Sequence, residues 1–201
     1  MGEDRELAER ICDAALACIA RWGVSKTTLE DVAREAGCGR ATIYRTFHGG
    51  KRELLLAVLQ REINRFRDTV DAAIGSADPD DLETTVVAGV VAAARYLEGH
   101  EALQYLLSHE PDAVLPHVAF HRMGPILDRV AAFAAPYLEA FVADPEDAAR
   151  AAEWVARVVL SYSLFARSEL DLADERAARH LIRTYVLPGL RALTVAEGAS
   201  Q

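Results

Sequence analysis

Two short amphipathic helices that meet at Gly37 constrain the fold of this chain more than any other feature of its sequence. The apolar residues of the first helix recur at the spacing of a single helical face: Leu29, Val32, Ala33 and Ala36. Thr28 precedes them, where its hydroxyl can accept a free backbone N–H as the N-cap. Gly37 follows them, and a glycine there can adopt the left-handed conformation that ends a helix. The pattern therefore predicts a helix with a sharp turn at its end.

The second short helix is predicted over Arg40–Phe47 and has two different faces. Ile43 and Phe47 are four residues apart and point together into a small core. The opposite face carries small, hydroxylated, cationic and aromatic side chains: Arg40, Ala41, Thr42, Tyr44 and Arg45. Arginine can bond guanine bidentately, a small apolar side chain can meet a thymine methyl, and hydroxyls can hold phosphates. This face has the chemistry of a helix that reads the DNA major groove.

A third helix is predicted to begin at Lys51, directly after Gly49-Gly50. Free backbone N–H groups at a helix start bind phosphate, and a lysine at that position adds positive charge. The segment Thr27–Leu56 therefore predicts a helix-turn-helix unit that binds double-stranded DNA.

The segment from Ile11 to Val58 resembles the N-terminal domain of the TetR family of transcriptional regulators. The residues that carry the resemblance are Thr27-Thr28, Ile43-Tyr44, Phe47, Lys51 and Leu54-Leu55. The resemblance implies an all-α fold with an N-terminal three-helix bundle that contains the helix-turn-helix, and a C-terminal helical domain for ligand binding and dimerisation. It places the DNA-binding domain in residues 1–50 and the effector-binding and dimerisation domain in residues 51–201.

The resemblance also implies a role for each residue of the DNA-reading surface. Thr28 would touch phosphate, Tyr44 would contact the DNA backbone, and Lys51 would clamp a phosphate. The residues that would face the groove are Arg40, Ala41, Thr42 and Arg45. The chain departs from the family pattern in two places: Thr46 stands where a histidine or another aromatic is frequent, and the link His48-Gly49-Gly50 is one residue longer than the commonest form.

The net charge of −9 is distributed unevenly along the chain. Residues 1–60 hold nine Lys/Arg and nine Asp/Glu, whereas the remaining residues hold 13 and 22. Within Arg21–Arg52 there are seven cations and three anions, so this segment carries a charge of +4. An acidic remainder would repel DNA and help to orient the basic segment toward it.

The rest of the sequence predicts further helices and no strands, because alanine is abundant and β-branched alternation is absent. The N-terminal helix, which precedes the two short helices, is predicted over Asp4–Trp22 and ends at Gly23. Its one buried stripe consists of Ile11, Ala15, Cys18, Ile19 and Trp22. Later helices are expected at Lys51–Ile74, Asp80–Glu98, His100–His109, Ala148–Arg167 and Asp174–Val195. Pro136 and Pro188 are expected to bend or stop the helices that contain them.

The predicted helix Ala148–Arg167 is apolar on more than one side, which is typical of a buried helix. It would pack on its own domain and on something else, although a purely internal core is the alternative. TetR-like proteins form homodimers through their last two long helices, so the resemblance implies a homodimer. The candidate interface residues are Trp154, Val158, Tyr162, Phe165, Leu181 and Tyr185.

A small-molecule pocket in the second domain is a further implication of the resemblance. Aromatic walls with few polar groups suit such a pocket, and ordinary packing is the alternative for each candidate. The candidates are Tyr96, Tyr105, His109, His117, His121, Arg122, Tyr137 and Trp154. His117 and His121 have the spacing of metal ligands on a helix, but no third ligand has a clear spacing with them. No metal or other cofactor is therefore predicted.

The sequence predicts a homodimeric repressor that a small-molecule effector releases from a palindromic operator. An effector-independent activator or architectural DNA-binding protein is the first alternative, and a His-based metalloenzyme is the second. The chain lacks HExxH, a nucleophile elbow and a phosphate loop, so no catalytic residue is predicted.

A cytoplasmic location is expected from the cysteines and from the N-terminus. The three cysteines, Cys12, Cys18 and Cys38, are odd in number and form no CxxC pair, which fits a reducing compartment. The charged start MGEDRELAER predicts no signal peptide, and no apolar run is long enough to cross a membrane.

Overall fold

The computed structural model describes residues 2–113, 124–164 and 170–194, and the described residues contain helices and no β-strand. The predicted all-α fold is therefore confirmed. In chain order the helices are α1 (Gly2–Lys26), α2 (Leu29–Glu35), α3 (Arg40–Thr46), α4 (Lys51–Gly75), α5 (Leu82–Gly99), α6 (Glu101–His109), α7 (Gly124–Leu138), α8 (Pro145–Leu164), α9 (Glu175–Leu181), the π-helical turn Ile182–Val186 and α10 (Leu187–Thr194). None of the described helices is long and apolar enough to span a bilayer.

The chain divides into two compact units. The first unit contains residues 1–67 and 99–115, and the second contains residues 68–98 and 116–201. The helix α4 therefore contributes to both, and α6 belongs to the first. The boundary between the two units therefore falls inside α4, whereas the boundary expected from the sequence falls after residue 50, directly before α4.

The core of the first unit is built from one face of each of its first four helices. Its fully buried centre includes Ile11 and Cys18 of α1, Val32 of α2, Ile43 of α3 and Leu54 of α4. These side chains come from helices that are too short or too polar to be stable alone, so their shared burial holds the helices together.

The predicted buried stripe of α1 is correct at four positions and wrong at Trp22. Ile11, Ala15, Cys18 and Ile19 are all buried, but Trp22 is 37% exposed. Trp22 occupies the last turn before Gly23, and no residue of the buried cluster follows it along α1. Its large ring therefore stays partly in solvent.

Gly23 ends the straight part of α1, as the sequence predicts. Its φ of 80° and ψ of 172° interrupt the helical backbone, so Val24–Lys26 form a separate turn. The hydroxyl of Thr27 donates to the Gly23 carbonyl at 2.7 Å, and the Thr27 side chain is buried. These contacts fix the direction in which the chain leaves α1 and enters α2.

The second unit contains the apolar face of α5 that the sequence predicts. Its members Val86, Val87, Val90, Val91 and Ala94 are all buried. The helices α7 and α8 pack against each other. Pro136 lies inside α7, which continues for two further residues before it ends.

The expected irregularity near Pro188 takes the form of a π-helical turn. The Leu187 N–H bonds to the Ile182 carbonyl, five residues back, in the turn Ile182–Val186. Pro188 has no N–H, and its ring would clash with a carbonyl of the preceding turn of a regular helix. A wider turn directly before the proline relieves that clash.

Within the second unit, Glu83 joins α5 to the C-terminal helical segment, which consists of α9, the π-helical turn and α10. Its carboxylate oxygen Oε1 accepts from Arg183 Nε at 2.7 Å and from Arg179 Nη1 at 2.9 Å, and the Glu83 side chain is almost completely buried. The hydrogen bond from Arg183, supported by Arg179, lowers the pKa of Glu83. A carboxyl whose pKa is depressed by folding stabilises the protein above its unfolded pKa, and this stabilisation is lost as the pH falls.

Glu83→Gln is therefore expected to lower the free energy of unfolding by about 1 kcal/mol at neutral pH, because it removes two charge-assisted hydrogen bonds, one of them to the exposed Arg183. Urea denaturation of both proteins at pH 7 and near pH 3.5 checks this. The difference should shrink at the acidic pH, because the unfolded chain then binds a proton at this carboxyl and the advantage of the folded ion pairs is lost as the pH falls. The exposed Glu139→Gln provides the control and should show no difference at either pH. An equal loss for Glu83→Gln at both pH values would contradict the role of the ion pairs.

Candidate nucleic-acid interface

The N-terminus of α2 is fixed by a reciprocal cap between Thr28 and Asp31. The Thr28 hydroxyl accepts from the Asp31 N–H at 3.2 Å, and the Asp31 carboxylate accepts from the Thr28 N–H at 3.2 Å. The Thr28 hydroxyl also donates to that carboxylate at 2.6 Å, which lowers the pKa of Asp31. The predicted N-cap is confirmed, whereas the phosphate contact of the exposed Thr28 stays a prediction.

The turn between α2 and α3 depends on Gly37. Its φ is 64°, in the left-handed region. The Cys38 N–H reaches back to the Ala33 carbonyl at 2.9 Å, and the Gly37 N–H bonds to the Arg34 carbonyl at 3.3 Å. This pair of bonds is the Schellman motif, which satisfies the last carbonyls of a helix and reverses the chain. The predicted turn at Gly37 is confirmed, and it sets the angle at which α3 begins.

The helix α3 divides cleanly into a buried face and an exposed face. Ile43 is completely buried, and Phe47, directly after the helix, is 6% exposed. Arg40, Ala41, Tyr44 and Arg45 are exposed and Thr42 is half-buried. The structure thus brings together on one surface all five of the α3 side chains that the sequence assigns to DNA reading.

Two contacts organise the exposed face of α3. The Arg40 guanidinium donates to the Tyr44 hydroxyl at 3.3 Å and lies 5.6 Å from the centre of the Tyr44 ring. Arg45 donates to the Thr42 hydroxyl at 3.2 Å. Both arginines therefore bond neutral hydroxyls rather than carboxylates. Contacts of this strength hold the side chains in place and are readily exchanged for base edges or phosphates.

Two arginines outside α3 are paired with carboxylates, unlike Arg40 and Arg45. Arg21 makes two bonds to Glu35, at 2.9 and 3.1 Å, and Arg34 bonds Asp31 at 2.6 Å. These two arginines are neutralised by carboxylates of the same unit. Arg21 and Arg34 therefore offer less positive charge to a phosphate backbone than Arg40 and Arg45 do.

Lys51 begins α4, as predicted, and its ammonium donates to the Val24 carbonyl at 2.7 Å. Glu53 accepts from the Gly49 N–H at 2.6 Å in front of the same helix. An ammonium has three donors, so this contact leaves the predicted phosphate clamp untested. The bond to Val24 is a structural role that sequence reasoning missed.

The residues assigned to a ligand pocket fall in different places. Tyr105 and His109 stack on each other in the first unit, with ring centres 4.4 Å apart. Tyr96 is half-buried and Trp154 is 45% exposed, and both belong to the second unit. Tyr137 is half-buried on α7 and meets Phe133 edge to face. The remaining candidates, His117, His121 and Arg122, lie outside the described residues.

The second unit contains an open groove of about 300 Å³ that the sequence did not indicate. Its floor is made of small apolar side chains of α4 and α5, among them Ala73, Ala88 and Val91. Arg95 and Arg179 stand at its rim. Neither Tyr96 nor Trp154 lines it. Across the described part of the chain, no cluster of three or more His, Cys, Asp or Glu side chains could hold a metal ion.

The residues assigned to a dimer contact show graded exposure on α8 and the C-terminal helical segment. Trp154 is 45% exposed and Tyr185 is 67% exposed, whereas Leu181 is buried in its own unit. Val158 and Tyr162 are half-buried, and Phe165 lies outside the described residues. The assignment of Trp154 and Tyr185 to a contact with a second copy stays a prediction.

Comparison with known proteins agrees with this geometry. Residues 11–58 match the model for bacterial regulatory proteins of the tetR family. An uncharacterised HTH-type transcriptional regulator of Mycobacterium tuberculosis is 29% identical over 182 residues, which cover 90% of this chain and 84% of that protein. The HTH-type transcriptional regulator SrpR of Pseudomonas putida is 47% identical over 57 residues, covering 28% of this chain and 26% of that protein.

The fold is also similar to that of a solved structure. The TetR family repressor AlkX of a Dietzia species superposes with a TM-score of 0.64 at 24% identity, over 92% of this chain and 98% of that one. At this identity the likeness supports the fold.

Gly37→Ala tests the geometry of the reading unit. A Cβ at Gly37 would meet no atom within 4 Å, so the cost comes from the left-handed backbone alone and is expected to be about 1 kcal/mol. Gly75→Ala is the matched control, because it also has free space and lies at the helical end of α4. Urea denaturation should show a loss for the first variant and none for the second. Equal stabilities for Gly37→Ala and the wild type would contradict the assigned turn.

Proposed function

Because the chain belongs to the TetR family of DNA-binding transcriptional regulators, we propose that it is a homodimeric repressor that a small-molecule effector releases from an inverted-repeat operator. The observation that supports the mode of DNA binding is the exposed face of α3. Arg40, Tyr44 and Arg45 project from it, while Ile43 and Phe47 anchor the opposite face in the core.

In the proposed complex, α3 enters the major groove. Arg40 and Arg45 carry fork-shaped donor groups that match the O6 and N7 acceptors of guanine. Ala41 is small enough to let the helix approach the bases and to contact a thymine methyl. Thr28 and Tyr44 would bond phosphate oxygens on either side and so fix the register of the helix. Lys51 would exchange or share its bond to Val24 with a phosphate.

A dimer is proposed because one seven-residue helix reads too few base pairs for a specific site. Two copies related by a twofold axis would present two α3 helices to successive major grooves, about 34–36 Å apart, and would read related half-sites. The exposed rings of Trp154 and Tyr185 supply apolar surface for such a contact. The acidic charge of residues 61–201 favours an orientation in which the second unit points away from DNA.

The open groove of the second unit supports the proposal that an effector binds there. Its volume is at the lower end of the range for small-molecule sites. The rim arginines are engaged, since Arg95 bonds the Ala173 carbonyl at 2.9 Å and Arg179 bonds both Glu83 and Glu175. A mainly apolar molecule is therefore the better match. It would release the repressor if it binds better to a conformation with a different spacing of the two α3 helices.

Arg40→Ala and Tyr44→Ala test the assignment of the reading helix. Fragments selected from random DNA by the wild-type protein serve as the probe, and binding is measured by fluorescence anisotropy. Each variant is expected to lose about 10- to 100-fold in affinity for the selected fragment. Arg150→Ala removes an exposed arginine of the second unit and is the charge-matched control. If both α3 variants bind like the wild type, α3 is not the reading helix.

Trp154→Ala with Tyr185→Ala tests the proposed dimer contact. Losing two large aromatic anchors should weaken the dimer at least about tenfold, because such residues dominate interface energetics. Sedimentation velocity across a concentration series measures the effect. Leu59→Ala removes an equally exposed apolar side chain of α4 and is the control. A dimer of unchanged affinity in the double variant would place the interface elsewhere.

A further inference from the structure

The segment from Gly23 to Thr28 covers the kink in α1, its last turn and the cap of α2, and we call it the α1–α2 connection. It is held by a carboxylate that is distant in sequence. The Glu110 oxygen Oε2 accepts from the backbone N–H of Val24 at 3.0 Å and from that of Ser25 at 3.2 Å. Two consecutive N–H groups on one carboxylate oxygen form a charge-assisted anchor, which is stronger and more directional than a bond between neutral groups. All three residues belong to the first unit.

The same short segment is also held from its carbonyl side. The Lys51 ammonium donates to the Val24 carbonyl at 2.7 Å, so both polar groups of Val24 are bound by charged side chains. Thr27 closes the turn through its bond to the Gly23 carbonyl. Thr28, the cap of α2, comes directly after. The position of α2 relative to α1 is thus specified by charged groups of the helices that follow α3 in the chain.

The lack of a side chain at Gly23 leaves room for this carboxylate. A Cβ built on Gly23 would overlap the Glu110 carboxylate atoms. The backbone at Gly23 also has a φ of 80°, which side chains rarely adopt. The absence of a side chain therefore serves both the turn and the close approach of Glu110.

The place of the Glu110 carboxylate is set by α6. The Glu110 N–H bonds to the Leu106 carbonyl at 2.9 Å, which continues the last turn of that helix. At the other end of α6, His100 caps the Leu103 N–H at 3.1 Å and meets the Glu62 carboxylate of α4 at 3.2 Å. The body of α6 packs along α1. A rotation or shift of α6 by about 1 Å would stretch the bonds to Val24 and Ser25 beyond hydrogen-bonding distance.

We propose that Glu110 is a positioning residue for DNA binding, which holds the α1–α2 connection in the arrangement that presents Thr28 and α3 to DNA. This inference rests on the proposed function.

The test compares Glu110→Ala and Glu110→Gln with Glu101→Ala, all in the 201-residue chain. Glu101 is an exposed carboxylate at the start of the same helix, so its removal changes the charge equally. The probe is the DNA fragment that the wild-type protein selects. Removing a negative charge by itself strengthens DNA binding, so a loss of affinity in Glu110→Ala cannot come from the charge change.

Glu110→Ala is expected to bind the selected fragment at least about tenfold more weakly than the wild type. The salt dependence of binding should keep its slope, because no phosphate contact is removed. Glu110→Gln keeps an acceptor oxygen of the same shape but loses its charge, so it should recover part of the affinity. Amide hydrogen exchange of the free proteins should be faster at Val24 and Ser25 in Glu110→Ala alone, which shows that the anchor exists.

The outcomes separate this inference from the proposed function. If the wild-type protein selects no DNA, the proposed function fails and the inference falls with it. If the wild type selects a fragment and Glu110→Ala binds it as tightly, with unchanged exchange at Val24 and Ser25, only the inference is overturned. Wild-type affinity despite faster exchange overturns the inference as well, since the anchor would then be irrelevant to DNA binding. A loss in Glu110→Ala that comes with faster exchange throughout the first unit would also overturn it, because such a loss indicates general misfolding.

Discussion

The burial of Ile43 is the packing interaction on which the rest of the proposed DNA-reading surface depends. The helix α3 has seven residues, which is too short for a stable helix in isolation. Its conformation therefore comes from packing, and Ile43 is completely enclosed by side chains of the surrounding helices. Once Ile43 and Phe47 point inward, the helical period leaves Arg40, Tyr44 and Arg45 on the outside. The reading face is thus a consequence of the core beneath it.

The second determinant is the short connection between α1 and α2. Gly23 allows the backbone to turn, and the polar groups of Val24 are then bound by Glu110 and Lys51. These bonds tie the start of α2 to the first turn of α4 and to the end of α6. The position of the helix-turn-helix is therefore fixed partly by charged groups that lie after it in the chain.

The sequence was sufficient for features that depend on neighbouring residues. The period of apolar residues in α2 and α5, the cap at Thr28 and the turns at Gly23 and Gly37 all follow from spacing and backbone sterics over a few residues. A Thr28-x-x-Asp31 pattern was also present and could have indicated the reciprocal cap.

Features that depend on packing between distant segments were not predictable from the sequence. Glu110 lies 86 residues from Val24, and Arg179 and Arg183 lie about 100 residues from Glu83. A carboxylate has no local signal that identifies such a partner. The exposure of Trp22 could not be predicted from the spacing of apolar residues for a related reason. That spacing shows which side of a helix is apolar, but it does not show where along the helix the core ends. The bond of Lys51 to Val24 was missed in the same way.

Methylation interference on the DNA fragment that the wild-type protein selects tests whether α3 reads the major groove as one of a symmetric pair of helices. Methylation of guanine N7 blocks the acceptor that Arg40 or Arg45 would use in the major groove. A symmetric pair of α3 helices predicts interference in two clusters related by twofold symmetry and separated by about one helical turn, 10–10.5 base pairs, or a multiple of it. Binding that is insensitive to N7 methylation, or interference in a single unpaired cluster, would contradict it.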